Sequence, residues 1–174
     1  CVQEGLASLS FDLRDLDLLR QVAPLYSTRA RLGVHGVVTV DELDAAVGAD
    51  ARFVLASVAD ADLADAPSRL GVACLPAALT PTEVRLASRL GSGAVQVVPA
   101  DILGHAYAAS LATLVPGVAL VPRGELGAYA LRQWFTAGAA AAVVGETLTG
   151  NAFKGLDLSA FRERCQSFAS IAKE

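Results

Sequence analysis

Two residues in this chain carry a lysine amine, Lys154 and Lys173, and both lie close to the C-terminus. A desolvated lysine can attack a carbonyl and hold it as an imine, whereas a glutamine amide is neutral and non-nucleophilic. The distinction bears on the apolar run Val95-Gln96-Val97-Val98-Pro99-Ala100, whose one polar side chain is Gln96. Gln96 reads either as a lost catalytic position or as an interior glutamine satisfied by its neighbours. Lys154, in Asn151-Ala152-Phe153-Lys154-Gly155, follows the last apolar run in a loop, either solvated or as a relocated imine-forming lysine. His35 stands beside Gly33 and Gly36, either as a base or as a hydrogen-bonded interior histidine. Arg123, Glu125 and Glu146 follow apolar runs and read either as a new polar site or as an ion-pair cluster filling a pocket.

The three cysteines, Cys1, Cys74 and Cys165, show no spacing of a metal site or a disulfide framework. No metal and no cofactor is expected, and a reduced, intracellular setting is the simpler reading. Cys74 in its apolar run reads as a small core residue rather than a nucleophile. Trp134 with Phe135 fits the buried face of a helix.

The elements that must position these side chains follow from periodicity. Residues 7–12 alternate apolar and polar, as a strand does, and residues 14–25 form a helical face that Pro24 is expected to end. A strand is expected over 31–38. Thr39 and Glu42 form a capping box for a helix over 40–47. A strand over 51–57, an acidic helix over 60–70 and a strand over 72–75 follow. Thr80, Pro81 and Glu83 then open another helix. The remaining pairs are strand 94–98 with helix 101–114, strand 118–121 with helix 126–137, and strand 140–144 with helix 158–173. Seven strand–helix units at this spacing mean a parallel sheet covered by helices, one unit short of an eightfold barrel. Neither a Walker-type loop nor a GxGxxG after the first strand is present.

Composition bounds the function. The chain has 174 residues, 53% of them hydrophobic, enough for one domain over residues 1–174. Charged residues make up 18%, fewer than usual, so much of the chain should be buried or in contact with something. A net charge of −4 with scattered arginines argues against a nucleic-acid partner. No long uncharged apolar run predicts a membrane span. The chain begins at Cys1 and contains no methionine, so a processed or partial N-terminus is expected. A plastid (chloroplast) setting fits the composition, and a bacterial cytoplasm fits as well.

Five local matches, in order, resemble the class I aldolases that cleave 2-keto-3-deoxy-6-phosphogluconate and 4-hydroxy-2-oxoglutarate. Leu9-Ser10-Phe11-Asp12-Leu13-Arg14 is similar to the family's LEVTLR, and Leu32-Gly33-Val34-His35-Gly36-Val37 to VGAGTV. Residues 95–100 are similar to VKLFPA, Val121-Pro122-Arg123-Gly124-Glu125-Leu126 to CPTGGI, and residues 143–148 to GGSWL. The resemblance implies an α/β, (β/α)8 TIM-barrel-like fold with the first strand and most of the first helix missing from this chain.

Carried over position by position, the resemblance places the family's imine-forming lysine on Gln96 and its general acid–base glutamate on Ser10. A hydroxyl does not titrate near neutral pH and is a poor substitute. A substrate-holding threonine falls on Arg123, and small phosphate-pocket residues fall on Glu125 and Glu146, whose charges would repel a phosphate. Arg14 is the surviving substrate-contacting position. The implied protein is an aldolase-like barrel without Schiff-base catalysis, acting as a non-catalytic binding or structural subunit among other protein subunits of a larger assembly. The alternative is an active lyase on a small anionic 2-oxo acid, with a site rebuilt from Arg14, His35, Arg123, Glu125 and Glu146.

Overall fold

The computed structural model describes residues 1–65, 69–90, 93–104, 106–152 and 158–173. Parallel strands alternate with helices along the chain. The contacts gather into two compact units, residues 7–96 and residues 1–6 with 97–174.

The 7–96 unit opens with β1 (Ser8–Asp12), a short 3-10 turn (Leu13–Asp15) and α1 (Leu16–Tyr26). There follow β2 (Arg31–Val37), α2 (Val40–Gly48), β3 (Phe53–Ala56), α3 (Ala61–Ala64) and β4 (Ala73–Leu75). Strands β1-β2-β3-β4 form one parallel sheet in that order. Ser10 is opposite Gly33, Asp12 opposite His35 and Val54 opposite Cys74. Leu32, Val34 and Val37 of β2, Val54 and Ala56 of β3 and Cys74 of β4 pack against Leu19 and Ala23 of α1 and Leu43 and Ala46 of α2. The helix residues recur at spacings of three or four, which brings one face of each helix onto the sheet.

Both expected capping boxes form. The Glu42 amide donates to Thr39 Oγ1 at 3.2 Å while the Glu42 carboxylate accepts from the Thr39 amide at 3.1 Å. Thr80 and Glu83 repeat the exchange at the start of α4 (Pro81–Arg89), with Pro81 at its first turn. Pro24 does not end its helix: α1 runs on to Tyr26. A proline this close to a C-terminus deletes one hydrogen bond only shortly before the helix closes anyway.

Pro76 interrupts the fourth strand, and β5 (Ala77–Ala78) begins a second sheet beyond it. Of the acidic helix expected over 60–70, α3 is one turn capped by Asp60, which accepts from the amides of Asp62 and Leu63, and residues 69 and 70 are helical as well.

β6 (Ala94–Val97) leads into the second unit, which holds α5 (Ala106–Leu114), β7 (Ala119–Gly124), α6 (Ala128–Thr136), β8 (Val143–Val144), α7 (Glu146–Thr149) and α8 (Leu158–Ile171). β7 and β8 pair in parallel, Arg123 opposite Val143. Trp134 is buried, edge-on to Tyr107 with ring centroids 6.4 Å apart. Cys165, Phe168, Ala169 and Ile171 form the buried stripe of α8. The helix expected from residue 101 is described over Ala106–Leu114; residues 101–103 lie in a bend and turn, Gly104 is at φ +70°, and the Asp101 carboxylate accepts from the Glu125 amide at 3.2 Å.

Gly33 has no room for a methyl group. A Cβ there would lie 2.5 Å from the Phe53 carbonyl and 2.6 Å from its ring, whereas at Gly48 it would meet nothing within 4 Å. Gly33→Ala is therefore expected to lower unfolding free energy by about 2 kcal/mol or more through overpacking. Gly48→Ala should be neutral or stabilising by up to about 1 kcal/mol. Urea unfolding of the two variants checks the contrast.

Candidate functional site

Strand alternation puts Ser10 and Asp12 on the same face of β1, and the pairing of β1 with β2 brings His35 beside them. His35 Nδ1 lies 3.2 Å from Ser10 Oγ, and His35 Nε2 lies 3.8 Å from Asp12 Oδ2. The β2–β3 register shifts between His35 and Val37, with Gly36 at φ +95°. Such a bulge re-aims the side chain beside it, and a backbone in that region favours glycine. A carboxylate beyond Nε2 favours the tautomer with a proton there. Nδ1 then accepts from the Ser10 hydroxyl. The pair has the polarity of a base beside a hydroxyl.

Arg14 is exposed and paired with Asp12. Its Nε and Nη2 donate to the two oxygens of Asp12 at 2.8 and 2.9 Å, and its backbone amide donates to Oδ1 at 2.9 Å. These side-chain and backbone hydrogen bonds from Arg14 hold the Asp12 carboxyl well below the ordinary carboxylate range. Sequence reasoning does not single out Asp12 as a site residue, although an aspartate two residues before an arginine at a strand end can close an Asx turn onto the following amide.

Gln96, on β6, is fully buried. Its side-chain nitrogen donates to the carbonyls of Ala56, at the end of β3, and Leu75, at the end of β4, at 2.9 and 2.6 Å. The backbone amide of Gln96 donates to the Pro76 carbonyl at 2.9 Å. The carboxamide is thus a tie between strand ends, the interior-glutamine arrangement among the two expected.

Arg123, Glu125 and Glu146 belong to the second unit. The Glu125 carboxylate accepts from the Glu146 amide at 3.0 Å, the Thr147 amide at 2.6 Å and the Thr147 hydroxyl at 2.9 Å. Burial would raise its pKa, but the hydrogen bonds from Thr147 and Glu146 outweigh burial and hold it below the ordinary value. Gly145 lies so close to this carboxylate that a Cβ would collide with Oε1. Burial lowers the Arg123 pKa. Glu125 and Glu146 are therefore brought together through a backbone amide, with one carboxylate already spent on the start of α7 (a use of charge near a helix N-terminus).

Cys74 is buried in β4, and burial pushes its thiol up to about 11, as suits a core residue. Lys154 lies outside the described residues. Among the described residues, no three His, Cys, Asp or Glu side chains gather as a metal site, and no helix is long and apolar enough to cross a membrane.

The family profile of the KDPG and KHG aldolases matches residues 14–161. The chain belongs to that aldolase family, and its α/β fold is the TIM-barrel-like fold of those enzymes. A 4-hydroxy-2-oxoglutarate/2-dehydro-3-deoxyphosphogluconate aldolase from TTHB1 is similar at 28% identity and a TM-score of 0.80, with 97% of this chain and 82% of that one covered. The KDPG aldolase of Legionella pneumophila, in which pyruvate is captured as a covalent carbinolamine, is similar at 18% identity and a TM-score of 0.82, with 94% and 82% covered. A porous cage protein designed by fusing symmetric oligomeric domains gives 19% identity and a TM-score of 0.85, and there the chain covers 64% of the other, less than two thirds of its length. No curated protein matches.

A depressed folded-state pKa contributes stability that is present above the unfolded value and is lost as pH falls through the folded one. For Asp12 the unfolded value is about 3.9. Its carboxyl carbon, followed by NMR, should not titrate through pH 3.9 and should move only well below it. In Arg14→Ala the titration should return toward the ordinary value. An unshifted midpoint in the parent chain would show that solvent screens the pair out.

Proposed function

We propose that this aldolase-family barrel has given up imine chemistry and works as a non-catalytic binding or structural subunit of a larger protein assembly. The observation that carries the reading is the tie made by Gln96. On the resemblance, this is the position of the imine-forming lysine. Its neutral amide is consumed by the Ala56 and Leu75 carbonyls, and no nucleophile is presented there. The other inherited groups support the same reading. Ser10 replaces a titratable acid, Arg14 is held by Asp12, and Glu125 lies on the amides of Glu146 and Thr147, where its charge opposes a phosphorylated substrate. Leu18 and Leu25, seven residues apart on α1, are 51% and 68% exposed, and such a stripe suits contact with another polypeptide.

A second reading is favoured by one observation, the 3.2 Å approach of His35 to Ser10. That pair could move a proton for a lyase acting on a small anionic 2-oxo acid without an imine. Under this reading the chain turns over 2-oxo acids, and His35→Gln abolishes the turnover while leaving the circular dichroism spectrum unchanged.

Borohydride reduction in the presence of pyruvate, read by intact mass, tests the loss of imine chemistry. No adduct is expected, and an adduct on Lys154 or Lys173 would overturn it. The native mass of the protein isolated gently from its source tests the subunit role. Other polypeptides in the complex support it, and a bare monomer or homotrimer counts against it. Gln96→Ala should lower unfolding free energy by about 3 kcal/mol, because two buried carbonyls lose a donor and a cavity remains.

A further inference from the structure

The three thiols occupy two chemical settings. Cys74 is buried in the 7–96 unit with its proton held tightly. In the other unit, the Cys165 thiol donates to the Cys1 sulfur across 3.9 Å. Both are free cysteines, Cys1 half-buried and Cys165 buried, and both line a cavity of about 440 Å³ together with Glu4 and Arg162.

The approach is held by matched geometry. Val2–Glu4 is a 3-10 turn that Gly5 closes at φ +91°. Residues three apart on such a turn stand in line, so Cys1 and Glu4 face the same way. Arg162, Cys165 and Gln166 share one face of α8, being three and four residues apart. The Glu4 carboxylate accepts from Arg162 Nε and, at 2.7 Å, from Gln166 Nε2. Those hydrogen bonds, the one from Gln166 first, hold the Glu4 carboxyl below its ordinary value. Glu4 thereby sets the first turn in register with α8 and leaves Cys1 opposite Cys165.

We propose that Cys1 and Cys165 form a peroxide-reactive dithiol site that closes to a disulfide. Cys1, the accessible member, attacks hydrogen peroxide as its thiolate. The O–O bond breaks, water leaves after taking up a proton, and Cys1 becomes a sulfenic acid. The Cys165 sulfur then attacks the Cys1 sulfur, expels the hydroxyl as a second water and forms the S–S bond. Two thiols lose two electrons in all, and the peroxide gains them. The sulfurs must close from 3.9 Å to about 2.05 Å for the bond to form. Cys74 lies in the other unit and takes no part.

The whole chain, fully reduced, is treated with equimolar hydrogen peroxide, then denatured and alkylated. The expected product is about 2 Da lighter before alkylation and takes one label where the reduced chain takes three. Its peptide map joins the peptide containing Cys1 to the one containing Cys165, and dithiothreitol restores three labels. Cys74→Ser should still close the bridge. Cys1→Ser should keep both remaining thiols alkylatable. Three labels retained after peroxide, a stable sulfinic acid on Cys1, or a disulfide between two chains would each overturn the proposal.

Discussion

A buried amide must find partners, and at Gln96 that requirement joins three strands. Its side chain reaches the carbonyls that end β3 and β4, and its backbone reaches the residue between β4 and β5. A side-chain donor shared by two interior carbonyls holds those strand ends at a fixed separation, because either carbonyl left without it would be desolvated and unpaired. The one polar side chain buried in this apolar run is thus a group that ties the sheet together.

The same substitution of internal partners for external ones recurs among the acids. Asp12 holds Arg14, Asp101 holds the Glu125 amide, and Glu125 holds the amides of Glu146 and Thr147. Each of these carboxylates is satisfied by donors of the chain itself, close to a strand end or a helix start.

Much of the fold was legible in the sequence because its signals are local. Thr39 with Glu42 and Thr80 with Glu83 announce two helix starts by spacing alone, and both form. The order of apolar runs gave the alternation of strands and helices. What escaped was set by long-range partners. The carbonyls that Gln96 reaches lie 40 and 21 positions away along the chain, and the partner of Asp101 lies 24 positions away. The candidate site was half legible. Ser10, His35 and Gln96 could be named from their runs, but the bond between His35 and Ser10 depends on the β1–β2 register, and Cys1 meets Cys165 across 164 positions of sequence.

The contact between Gly33 and Phe53 carries an evolutionary consequence. The ring and carbonyl of Phe53 occupy the space a side chain at position 33 would need. A larger residue at 33 demands that the backbone of β3 retreat, and because the nearest obstacle is a main-chain carbonyl, no exchange of the side chain at 53 alone makes room for it. Inheritance at position 33 is confined to glycine for as long as β3 keeps its place.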